Sequence, residues 1–174
     1  MADNNIPEGF VAYISIQGNV QGNISAGAGT KDAIGNKYMA QHEDECLVYN
    51  VFMDLERATD PSTGTVTGPT VQQGLSVIVP KEGNTLPLMV TALNNAEPLT
   101  ITLTEYRYNP DNGQLEKFMT TKMTDCRVTK IKRLEDNQSY SDDCVQYTFK
   151  GRALSVEGAI SSKSADVAFG GAIS

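Results

Sequence analysis

Apolar residues recur along this chain with a period of two. Phe10 to Gln17 (FVAYISIQ) is rich in β-branched and aromatic residues and stops at Gly18, which predicts an opening strand. Leu47, Tyr49, Val51, Met53 and Leu55 alternate strictly with mostly polar positions, a spacing that predicts one strand with five apolar side chains on one face. Leu75, Val77 and Val79 predict a short strand ended by Pro80, and Leu99, Ile101 and Leu103 another that runs on into Tyr108. Leu115 to Leu134 and Val145 to Val156 complete the set.

The punctuation between strands has its own chemistry. In Tyr108 to Gln114 (YNPDNGQ), Pro110 presets φ and Asn112-Gly113 accepts the positive φ of a tight hairpin turn. Thr59 to Pro69 and Glu135 to Asp143 predict longer polar loops, and Gly27 to Asp32 (GAGTKD) predicts a loop after the first hairpin. One segment breaks the period: Leu86, Met89, Val90 and Leu93 follow the i, i+3, i+4, i+7 spacing of an amphipathic helix. Asn84 or Thr85 would cap it, and Pro87 suits a first turn. The expectation is an all-β protein, a β-barrel or two-sheet β-sandwich, with one short helix at about 85–96. Residues 1–160 would form a single domain, and 161–174, rich in Gly, Ala and Ser, a mobile tail.

Composition narrows the partners. A net charge of −7 argues against nucleic acid and against an anionic membrane surface, since the largest basic cluster is Lys130-Ile131-Lys132-Arg133. No apolar run reaches the roughly 20 residues of a spanning helix. The acidic, polar N-terminus lacks the pattern of a secretory signal. Three cysteines, far apart and without CxxC spacing, read as buried thiols, with a Cys126–Cys144 disulfide as the alternative.

The one candidate for chemistry is Gly35 to Glu45 (GNKYMAQHEDE), which holds the only histidine. A zinc protease needs a second histidine four residues after the first, and a catalytic zinc normally takes three protein ligands. A calcium loop needs acids at alternate positions, whereas Glu43, Asp44 and Glu45 are contiguous. No GxSxG elbow or P-loop is present. No catalytic residue, metal ligand or cofactor site is therefore assigned.

The same residues carry a resemblance. Ala12 to Glu45 (AYISIQGNVQGNISAGAGTKDAIGNKYMAQHEDE) resembles the opening of the haemolysin-coregulated protein family, with Gln21-Gly22, Ala26-Gly27-Ala28, Asp32, Ile34-Gly35-Asn36 and His42 to Glu45 matching in order. Ala33 and Gln41 stand where the family usually has Ser and Gly. LPLMVTALNNAEPL and GQLEKFMTTKMTDCRV are similar to its helix and late hairpin, although Glu105 replaces the usual tryptophan and the usual C-terminal ending is missing.

The resemblance implies the inner-tube subunit of a bacterial type VI secretion system, not an enzyme. Homo-hexameric rings would stack inside a contractile sheath, meet spike and baseplate proteins, carry small effectors in the lumen, and leave the cytoplasm for the outside without a signal peptide or membrane insertion. Two other readings stay beside it: a tube subunit of a phage-tail-like injection machine, and a free-standing β-sandwich binding module. A hydrolase built on His42 is a third, from another class. For the tube subunit, Asn36, Lys37, Tyr38, Met39, Gln41, His42, Glu43, Asp44 and Glu45 are the expected contact with an adjacent subunit.

Overall fold

A computed structural model describes residues 11–135 and 143–169, and for Gln72 and Gln73 the backbone alone. The strands are β1 (Val11–Gly18), β2 (Gly22–Asn23), β3 (Cys46–Val48), β4 (Asn50–Thr59), β5 (Val66–Pro80), β6 (Leu99–Tyr108), β7 (Leu115–Leu134), β8 (Cys144–Gly158) and β9 (Ser164–Ala168). Two α-helices, α1 (Lys31–Ile34) and α2 (Leu86–Asn95), and two single 3-10 turns, Gly35–Lys37 and Ala40–His42, join them.

All nine strands belong to one antiparallel sheet in the order β2-β1-β6-β7-β8-β5-β4, with β3 on β1 and β9 on β8. The sheet closes on itself. Only Tyr49 separates β3, which pairs with β1, from β4, which pairs with β5, and its N–H donates to Ile78 O at 2.8 Å. The circuit β1-β6-β7-β8-β5-β4/β3 is therefore a small barrel. Closure removes most of the open edges that invite unwanted pairing.

Inside it, Ile14, Ile16, Val77, Ile101, Val145 and Phe149 are all fully buried. Each burial of that size contributes about 1.5–3 kcal/mol. A second, outer cluster of Val11, Tyr13 and Leu47 gathers Ile34, Tyr49, Tyr106 and Leu115 around it.

The expected hairpin turn forms as its residues demand. Asn109 N–H donates to Gln114 O, Asn109 Oδ1 accepts from Asp111 N–H, and Gly113 takes φ +71°. Other expectations change. The five alternating apolar residues do not share one core face: Leu47 and Tyr49 belong to the outer cluster, Val51 packs on the main core, and Met53 and Leu55 are exposed. The strand changes neighbours at Tyr49, and with the neighbour changes what covers each face. β5 begins at Val66, not Leu75, because β4 pairs with residues read as loop. Pro69 fits there, since that stretch has a partner on one side only.

The helix keeps nearly its expected bounds but buries Met89 and Ala92, leaving Val90 and Leu93 exposed. Thr85 takes the N-cap position, as one of the two expected residues, but its side chain makes no cap bond; the Glu82 carboxylate accepts the backbone N–H groups of Asn84 and Thr85. The expected single helix is joined by the short α1. In the expected mobile tail, Ser164–Ala168 pairs with β8 and Phe169 is buried, so the described part is an ordered edge strand. The polar loop after Glu135 falls, apart from its end residues, outside the described residues, as does the chain after Phe169. All three cysteines are thiols outside any disulfide; Cys126 sits against Leu99 and Gly151, while Cys144 pairs with Leu134, seven residues before Gly151 on β8, too far for the alternative disulfide.

Candidate functional site

The glycine-rich stretch after β2 and the histidine-led acidic stretch before β3 form the two halves of one folded loop. Ser25 is buried; its hydroxyl accepts from Ile16 N–H at 3.0 Å and lies 2.9 Å from Asp44 O. Gly27 (φ +77°) donates its N–H to Asp44 Oδ1 at 3.1 Å and accepts from Asn84 Nδ2 at 2.9 Å. Gly29 N–H donates to Glu43 O, and a Cβ there would come within 2.1 Å of His42 O. Glycine is required because two backbones touch at that point.

His42 faces its own barrel. Its ring stacks on Tyr13 with centroids 3.8 Å apart and planes 12° apart, and meets the Tyr106 ring edge-on at 5.3 Å. Nδ1 lies 2.8 Å from Glu45 Oε1. Burial, and then the Glu45 and Tyr106 charges, push the Tyr13 hydroxyl up to about 12, so Tyr13 stays neutral and apolar in character. Among the described residues no serine or cysteine is paired with the imidazole. What it does is clamp the loop: an aromatic stack, a histidine–carboxylate bond and backbone bonds from the glycines hold residues 24–45 against the outer cluster.

The expected contact residues divide accordingly. Lys37 reaches inward, its Nζ 5.8 Å from the Tyr49 ring centroid, and His42 and Glu45 also point onto their own chain. Asn36, Gln41, Glu43 and Asp44 are exposed, Tyr38 is 38% exposed and Met39 is half-buried. Among the described residues no three His, Cys, Asp or Glu side chains converge as a metal site.

A second surface escaped the periodicity reading. The β4–β5 hairpin carries exposed Phe52, Met53, Leu55, Val66 and Val71, and the outer edge of β4 has no strand partner among the described residues. The apolar alternation of β4 was the available signal, but alternation alone does not say whether its apolar side meets the chain's own core or another molecule.

A family model described as "Type VI secretion system effector, Hcp" matches residues 13–154. The chain is 35% identical over 121 residues, covering 70% of each chain, to a "Major exported protein" of Pseudomonas aeruginosa. Among solved structures it resembles a "Crystal structure of Hcp protein" at TM-score 0.85 and 29% identity, over 91% of this chain and 98% of that one. It also resembles the "Secreted protein Hcp3 from Pseudomonas aeruginosa" at TM-score 0.77 and 25% identity, over 92% and 98% of the two chains.

Proposed function

This chain belongs to the Hcp family of the type VI secretion system, and from that membership we propose that it is a subunit of the secretion tube and a carrier of exported effectors. Six copies form a ring, and rings stack inside a contractile sheath in the bacterial cytoplasm before the tube, tipped by spike proteins, is driven out of the cell. Contraction starts from a baseplate, and small effectors travel in the lumen.

The observation that carries this reading is the projecting β4–β5 hairpin, which leaves an apolar surface and an open strand edge with nothing among the described residues to cover them. A cyclic ring needs two different patches on each subunit, one meeting the other on the next copy. The hairpin supplies one. The outward residues of the clamped loop, Asn36, Tyr38, Met39, Gln41, Glu43 and Asp44, supply a contact to an adjacent subunit or ring, while Lys37, His42 and Glu45 hold that loop in shape.

Light scattering on the purified chain, with negative-stain imaging, tests the reading. Rings with a central hole are expected, and Tyr38→Asp with Met39→Asp should weaken ring stacking. A chain that stays monomeric at high concentration would overturn it.

A further inference from the structure

The basic run Lys130 to Arg133 has no part in the loop or the hairpin, yet the fold enlarges it. Val128 and Phe149 point into the core, so their neighbours Arg127 and Lys150 point out, facing each other as a registered pair on β7 and β8. Lys130 and Lys132 follow on the same outward side, opposite Thr148 and Gln146. Arg152 joins them across a cavity of about 240 Å³ lined by Asp125, Arg127, Lys150, Gly151 and Arg152.

Like charges set directly opposite on neighbouring strands destabilise a sheet. Among the described residues lining this cavity the one carboxylate, Asp125, lies 3.2 Å from Arg127 Nη1 and 3.3 Å from Arg152 Nε, against the five cations of the stripe. Among the described residues Lys130, Lys132 and Lys150 make no ion pair. In a chain of net charge −7 this concentration is an imbalance that an outside anion would relieve.

The complementary charge lies on the same face of the same sheet, at its far edge. Met53 lies opposite the core residue Leu75, so the alternating neighbours Asp54 and Glu56 of β4 project on the outward side, and both are exposed. From β4 through β5 and β8 to β7 is three strand intervals, about 14 Å at roughly 4.8 Å each. Lys150 stands nearer, on β8 with its side chain reaching over Gly74 opposite Asp54, but Arg127, Lys130 and Lys132 on β7 lie beyond the screening length of about 8 Å at physiological salt. Two copies side by side in the same sense do bring an acidic edge against a basic one.

We infer that the basic stripe of Arg127, Lys130, Lys132, Lys150 and Arg152 receives the acidic β4 edge, Asp54 and Glu56, of a second copy of this chain. The inference rests on the tube-subunit reading and names the charges that set the sense and order of its lateral contact. Such pairs act mostly on association rate and on rejection of wrong orientations.

Three full-length variants test it beside the unchanged chain, each checked by circular dichroism and thermal melting: Lys130→Glu/Lys132→Glu/Lys150→Glu, Asp54→Lys/Glu56→Lys, and both sets combined. Each reversal alone should raise the concentration for half-assembly roughly tenfold or more, the combined swap should restore most of it, and assembly of the unchanged chain should weaken as salt is raised. Arg127 and Arg152 are left in place because their bonds to Asp125 hold the local fold. Folded reversal variants that assemble like the unchanged chain overturn the contact, whatever other acidic partner the stripe takes. An unchanged chain that never assembles overturns the tube-subunit reading itself, so the two failures are distinguishable.

Discussion

Glu97 is 3% exposed, and it binds the chain around the first turn to the end of α2. Its Oε2 accepts the N–H groups of Val20 and Gln21 at 2.9 Å each, and its Oε1 the Gln21 amide at 2.8 Å. Burial pushes its pKa up, but the bonds from Gln21 and Val20 outweigh burial and hold it below its ordinary value. A depressed folded value means that this stability is present above the unfolded carboxylate pKa and is lost as pH falls through the folded one. Glu97→Gln should therefore cost about 2 kcal/mol in urea denaturation at pH 7, a gap that closes below about pH 4. A gap that does not change with pH would refute the assignment. The thiols make a second residue-scale test. Burial above all raises Cys46 and Cys126 to about 12, while Cys144 is only partly covered. A thiol reagent should reach Cys144 first in the native protein and all three in denaturant; one reactive thiol in denaturant would reveal a disulfide. The hairpin turn at Asn109–Gly113 was legible in sequence because its determinants are side chains within three residues of one another. The Gln21–Glu97 bond was not, since seventy-six positions separate its ends.

At the scale of elements, β9 shows how pairing overrides composition. Ser164–Ala168 is weakly patterned, yet Leu154 stands opposite Val167 and Phe169 closes over the core with its N–H on Arg152 O. Phe169→Ala should cost about 3–5 kcal/mol by chemical denaturation, as a fully buried aromatic does; a change under about 1 kcal/mol would mean that the tail is dispensable. The helix makes the same point from the other side. Its existence and ends follow from local periodicity and Pro87, but β7 determines which face is buried, and it takes Met89 and Ala92 in place of Val90 and Leu93.

For the whole molecule, the closed barrel separates stability from assembly. Most core residues belong to the barrel strands, whereas Phe52 and Val71 lie exposed on the hairpin. Phe52→Asp with Val71→Asp should move the stability of the subunit by no more than about 0.5 kcal/mol per site. The same pair should abolish ring formation in light scattering. Rings that persist would remove the hairpin from the subunit contact.

What the sequence determined by itself was the strand periodicity, the turns, the helix and the family motifs, all set within a few residues by backbone geometry and steric preference. Tertiary structure decided the rest. The β4 alternation is the same whether its apolar side meets a core or open solvent, and only closure through Tyr49 settled which. In sequence His42 and its acids carried no assignable chemistry and were an expected subunit contact; Tyr13, brought beside the ring from twenty-nine positions earlier, makes His42 and Glu45 part of a clamp. Coverage and charge pairing depend on partners far along the chain or on another copy, and no local pattern records where those partners lie.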